Sequence, residues 1–214
     1  MRPAGALGSV AMFAVEGANM FQPSLEFVAI GDDVDAAVEA AQIVSGHAFV
    51  DDRPDGKGLP FRTLVRAVTD RPAQLEAAGS VGMYVVCVRP QRVRAAAPPA
   101  TAVIQVNAMV ANPEIGVLAA DTHWRDTHAP LALTHHIGMT QYTQLSVVHR
   151  ISGPGYDGFA LCEFDSIEDL REKFFDGPQG ERVIYADIAK FADRERSPRR
   201  LLARRLVVPN DQLR

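Results

Sequence analysis

TQYTQLSVVHRISGPGYDGFALCEFDSIEDLREKFF, residues 140–175, reads as two strands, the turn between them and the start of a helix. Thr140 to Ile151 alternates, with Leu145, Val147, His149 and Ile151 on one face and Tyr142, Gln144 and Ser146 on the other. Ser152-Gly153-Pro154-Gly155 supplies turn chemistry, and Phe159 to Asp165 returns as a strand, so the pair should form an antiparallel hairpin. Ser166 with Asp169 resembles a capping box, and Ile167, Leu170 and Phe174 follow at helical spacing until Gly177-Pro178.

Working outward, Ala102 to Val110 reads as the strand before this unit, and Ile115 to Leu133 reads as helix. Pro130 lacks an amide proton and biases Ala129 away from α geometry, so a kink or break is expected there. A second helical stretch, about residues 180–192, carries Val183, Ile184, Ile188 and Phe191 on one side, and Leu201 to Val208 is a last strand. The order strand, helix, strand, strand, helix, strand is the split βαβ, ferredoxin-like α+β arrangement, βαββαβ.

Ala95-Ala96-Ala97-Pro98-Pro99-Ala100 reads as a linker, dividing the chain into residues 1–97 and a domain at 101–208. In the first part Leu25 to Ile30 and Met83 to Val88 read as strands and Asp33 can cap a helix carrying Val34, Ala37, Val38 and Ala41. Asp51 to Pro60 is a polar loop, and Phe61 to Val68 reads as a further strand. The strand and capped helix at Glu26 to Ala41 loosely echo Phe159 to Phe174, and Met83 to Val88 echoes the terminal strand. A degenerate second copy of the ferredoxin-like unit, in tandem with the first, is therefore expected.

The 214 residues carry a net charge of -4 and are 47% hydrophobic, so the chain can bury a core but lacks the basic surface needed for nucleic acid or anionic membrane. Cys87 and Cys162 each sit in an apolar run, so no disulfide framework is needed and a reducing cytoplasm fits. The apolar stretch Ala4 to Val15 holds Gly5, Gly8 and Ser9 behind a lone Arg2, a poor match to a secretory signal.

Chemistry concentrates in one span. His123, His128, His135, His136 and His149, five of the six histidines, lie there with the only tryptophan, Trp124. Trp124 and His128 are four apart and share a helix face. His149 sits on the apolar face of the hairpin strand, the face a helix should cover. A cavity between helix and sheet would hold several imidazoles suited to moving a proton near neutral pH. His128 and His123 are the catalytic candidates; Trp124, Tyr142, His149 and His135 are the substrate-binding candidates, and Tyr142 or Tyr156 could donate to an oxyanion. The five-residue spacing of His123 and His128 is not that of helical zinc ligands, and no nicotinamide, flavin or ATP motif appears, so neither metal nor organic cofactor is expected.

Asp121 to Leu131 (DTHWRDTHAPL), Tyr142, Tyr156 to Asp165 (YDGFALCEFD), the step into Ser166 to Phe174 and Ala186 to Asp193 (ADIAKFAD) together resemble the EthD family. The resemblance spans about half the chain, with His128, Pro130 and Leu131 matching the family motif and His123 and Trp124 its dehydratase-like variants. It implies a dimeric α+β barrel, in which two ferredoxin-like sheets close on one another. It also implies cofactor-independent dehydration or isomerisation of a hydrophobic aromatic or cyclic molecule such as a polyketide. Non-catalytic binding beside an oxygenase and cofactorless oxygenation are the alternatives. The expected partner is a small hydrophobic substrate, and a homodimer is a possible assembly.

Overall fold

The computed structural model describes residues 24–51, 53 and 58–207; the Ala4 to Val15 stretch lies outside them. The first half runs β1 (Ser24–Gly31), α1 (Val34–Ile43), β2 (His47–Val50), β3 (Thr63–Ala67), a short 3-10 turn (Pro72–Leu75) and β4 (Gly82–Arg92). Asp33 caps α1 as its sequence suggests, its side chain accepting from the Ala36 amide at 3.0 Å. β2 was not foreseen: four residues, all buried, give too short an apolar run to distinguish from a loop.

The second half runs β5 (Val103–Met109), α2 (Gly116–His123), a π turn (Trp124–His128), α3 (Ala129–His135), β6 (Met139–Ser152) and β7 (Gly158–Phe164). It ends with α4 (Ile167–Glu172), α5 (Pro178–Phe191) and β8 (Leu201–Val207). β6 and β7 form the anticipated antiparallel hairpin, and Ser166 caps α4 by accepting from the Asp169 amide. Pro130 does not break the helix as its sequence suggested. It sits in the first turn of α3, and the π turn just before it lets the Ala129 amide donate to the Trp124 carbonyl, so the helical path continues through the proline.

The eight strands close into one barrel in the order β1-β3-β2-β8-β5-β7-β6-β4. Strands β4-β1-β3-β2 come from the first half and β8-β5-β7-β6 from the second, with the same internal order, and the two sectors join at β2–β8 and β4–β6. β1 and α1 therefore occupy the place of β5 and α2, not the place of β7 and α4 that their loose sequence echo suggested. β4 and β8 do stand in equivalent places.

Pleating sends alternate side chains inward and outward. Inward go Val28, Ile30, Leu64, Tyr84, Val86, Ile104, Val106, Leu145, Phe159 and Leu161, filling the barrel with a packed core. Outward, Ala29, Ala48 and Val65 meet Ala37, Ala40 and Ala41 of α1, while Tyr142, Cys162 and Phe164 meet Ala129, Ala132 and Ile184 of the other helical layer. Among the described residues no helix is long and apolar enough to cross a membrane. Cys87 and Cys162 are both free thiols.

Candidate functional site

Ala120, Trp124, His128, Ala132 and His136 are all buried, a repeat of every fourth residue along α2, the π turn and α3. A continuous α-helix would carry such a repeat round by roughly 40° per step, since each residue turns about 100°. The wider π turn takes up part of that drift and keeps the line facing the sheet. Between this line, α4, α5 and the outer face of β5, β7 and β6 lies a cavity of about 1060 Å³. Trp124, His128, His136 and Tyr142 line it with Phe174 and Phe191.

His128 donates through Nδ1 to Oδ2 of Asp187 at 3.0 Å, and Nε2 of His123 donates to Oδ1 of the same carboxylate at 2.9 Å. Asp187 projects from α5 and is almost fully buried. Burial works against its ionisation, but the hydrogen bonds and proximity of the two imidazoles outweigh burial and hold its carboxyl below the usual range. For His128, burial is the stronger influence and lowers its pKa to about 4, although Asp187 favours the charged form. At neutral pH the ring is uncharged. With Nδ1–H committed to Asp187, the lone pair belongs to Nε2, which is the arrangement of an oriented general base.

Tyr142 is fully enclosed, and burial pushes its hydroxyl pKa up, so it keeps its proton. Its hydroxyl oxygen accepts from Trp124 Nε1 at 3.0 Å and from Gln144 Nε2 at 3.2 Å, leaving its own O–H as a polarised donor. Gln144 also donates to the Trp124 carbonyl at 2.9 Å and receives Gln91 Nε2 at 3.1 Å. Arg89, a buried residue of β4, makes a bidentate pair with Asp121 at 2.9 and 2.5 Å and lies 5.7 Å from the centre of the Trp124 ring. Burial opposes the Asp121 charge, but Arg89 and Ser146 hold its carboxyl below the usual range. The first half thus braces the site although it supplies no histidine to it.

The expected site residues separate into two groups. His128, Trp124 and Tyr142 come together on the cavity. His123 stands behind His128, stacked on Phe191 and bound to Asp187, rather than among the cavity-lining side chains. His135 pairs with Asp176 at 2.9 Å, and its neighbour His136 is the one that lines the cavity, donating Nδ1–H to the Phe174 carbonyl at 2.6 Å. His149 corrects the sequence reading: it is exposed beside Val85 of β4. The apolar face of β6 points into the barrel, so the helices cover the opposite face, with Tyr142, Gln144 and Ser146. Tyr156 likewise packs in the barrel core against Tyr84 and Phe61. Asp187 and Arg89 were missed, having no local pattern to mark them.

The EthD domain model matches residues 112–195, the segment holding His128, Tyr142 and Asp187. Over that segment the chain is similar to EthD domains. No curated protein matches the sequence. Among solved structures, a candidate monooxygenase from Fusobacterium nucleatum aligns over 88% of this chain and 94% of its own at 9% identity, with a TM-score of 0.53. An anthrone oxidase-like protein aligns over 85% of this chain and 92% of its own at 11% identity, with a TM-score of 0.50. At those identities the likeness is one of fold, and it extends beyond the EthD segment to the whole barrel.

Proposed function

We propose that this EthD-like barrel is a cofactor-independent enzyme that moves protons on a hydrophobic aromatic or cyclic molecule, with dehydration or isomerisation as the reaction. The observation that carries the reading is the hydrogen bond from His128 to buried Asp187 at the wall of a cavity lined by aromatic rings. Nε2 of His128 removes a proton next to a carbonyl or from a phenol. The O–H of Tyr142 donates to the oxyanion that develops. With its pKa lowered to about 4, the ring is unprotonated at neutral pH and its free nitrogen is available to accept a proton. Arg171, Arg194, Arg199 and Arg200 at the cavity lining favour a substrate that also bears an acidic group. His123 acts through Asp187 as a positioning residue.

In the same reading the first half is a degenerate copy of the second, so that one chain builds a barrel that relatives assemble from two, with a single competent cavity. Shared strand order and the lack of an HWxxxH equivalent in the first half support it. Oxygenation without a cofactor would begin with the same proton removal, and one neighbour in fold is described as anthrone oxidase-like. Turnover of a panel of aromatic polyketides, lactones and phenols tests the proposal, with oxygen uptake followed in parallel. His128→Gln should retain its fold and lose roughly 10² to 10⁴ in rate. Unchanged turnover in that variant would remove the base from the mechanism, and oxygen consumed in step with substrate would replace dehydration by oxygenation.

A further inference from the structure

A second chamber lies inside the barrel, at the mouth where β1 begins and β4 ends, separate from the His128 cavity outside it. The pleat that sends Leu201 and Ala203 inward also sends Arg205 inward, and likewise Glu163 after Leu161, Arg66 after Leu64 and His47 before Phe49. His47 and Arg66 face each other across the β2–β3 pairing. The chamber has a volume of about 280 Å³, with Gln141 and Thr143 on its wall and Ile104 and Leu161 lining it.

Its polar groups are not in balance. Arg205 donates one hydrogen bond, Nη2 to Glu163 Oε2 at 2.8 Å, and Glu163 is shared with Arg94, whose Nε is 3.3 Å from Oε1. Arg66 has only a 3.4 Å ion contact with Glu26 Oε2 and makes no hydrogen bond among the described residues. Among the described residues, His47 Nδ1, Arg66 Nε, Arg94 Nε and Arg205 Nε are buried without a hydrogen-bond partner, as are the carboxylate oxygens Glu26 Oε2 and Glu163 Oε1, which make only the looser ion contacts. Buried guanidinium groups ordinarily have their donors satisfied, since leaving them bare costs more than the same groups would lose in water. Burial pushes His47 down to about 3, and the nearby Arg66 and Arg205 guanidinium groups add to that shift in the same direction.

We propose that this chamber binds a small oxyanion, a phosphate or carboxylate group, between the guanidinium groups of Arg66 and Arg205. Two forked donors across a space of this size match the planar or tetrahedral oxygens of such a group, and the Thr143 hydroxyl and Gln141 amide add neutral donors. The site is independent of the His128 chemistry.

The test is calorimetric titration of the full-length protein with inorganic phosphate and separately with acetate, against chloride at matched ionic strength, together with thermal midpoints. Phosphate or acetate should bind and raise the midpoint. Arg66→Met and Arg205→Met should each weaken binding by about tenfold or more, the loss expected for a hydrogen bond to a charged group. Without the anion, Arg66→Met should melt no lower than wild type by more than the loss of its Glu26 contact, which separates binding from folding. Arg182→Gln, on the exposed face of α5 and outside the lining of both cavities, should bind as wild type does. No binding beyond the chloride control, equal binding in the Arg66 and Arg205 variants, or loss only in the Arg182 variant would overturn the proposal.

Discussion

His128 is pulled two ways. Burial opposes its charged form more strongly than Asp187 favours it, so its pKa falls from 6.5 to about 4. Between those values the unfolded chain binds a proton that the folded chain refuses, so stability is intact above about pH 6.5 and declines as pH falls toward 4. Complete titration of one such group is worth roughly 3 kcal/mol, since each tenfold loss of proton affinity on folding costs about 1.4 kcal/mol. Buried His47 and His136, also lowered, act in the same direction. Urea midpoints at pH 7.5 and pH 5 should therefore fall less in His128→Gln than in wild type, and an equal fall would show the ring to be exposed. Asp187→Asn removes the charge and replaces one of the two acceptor oxygens by an amide donor, so the tautomer is no longer fixed, and turnover should drop roughly 10² to 10⁴-fold with the protein still folded. Activity close to wild type in that variant would free His128 from Asp187. The sequence exposed His128 and Trp124 because four-residue spacing on a helix is a local signal. Asp187 lies 59 residues from His128, one of 26 acidic residues, and only the fold distinguishes it.

Elements were more legible than their faces. The alternation of β6 was plain, but alternation divides side chains into two sets without saying which set meets the helices. Leu145 looked like the helix-facing side and points into the barrel, because a closed sheet has an apolar interior as well as an apolar outer layer. That inversion moved Tyr142 to the cavity, and His149 reaches the surface beyond a register shift between the Val86–Val147 and Val85–His149 pairs. Pro130 misled for a related reason: its cost to a helix is real, and the π turn before it absorbs the cost while aligning Trp124 with His128. The Tyr-Asp-Gly entry to β7 has a steric purpose as well. A β-carbon at Gly158 would stand 2.6 Å from Cζ3 of Trp124. Gly158→Ala should displace the indole at a cost of about 1–3 kcal/mol. Trp124 is the only tryptophan, so its emission should shift to longer wavelength as it is pushed from its buried seat, and an unmoved spectrum would contradict the packing.

The whole molecule closes because each sector's open edge meets the other's, β2 on β8 and β4 on β6. Neither contact is visible in a sequence, since both join segments far apart in the chain. Residues 101–207 alone would expose the edges of β6 and β8, and such edges seek partners. That fragment should therefore elute as a dimer or larger species, whereas a stable monomer would show that the first half is dispensable to the barrel. Within the intact barrel the first half carries Arg89 and Gln91 to the network beneath Trp124 and Gln144, so the reactive cavity depends on both halves. The central claim is a neutral His128 whose free nitrogen faces that cavity. Nitrogen-15 NMR of the imidazole tests it most directly. The prediction is a protonated Nδ1 and an unprotonated Nε2 at pH 7, with no titration until about pH 4. A proton on Nε2 with Nδ1 bare, or titration near 6.5, would contradict it.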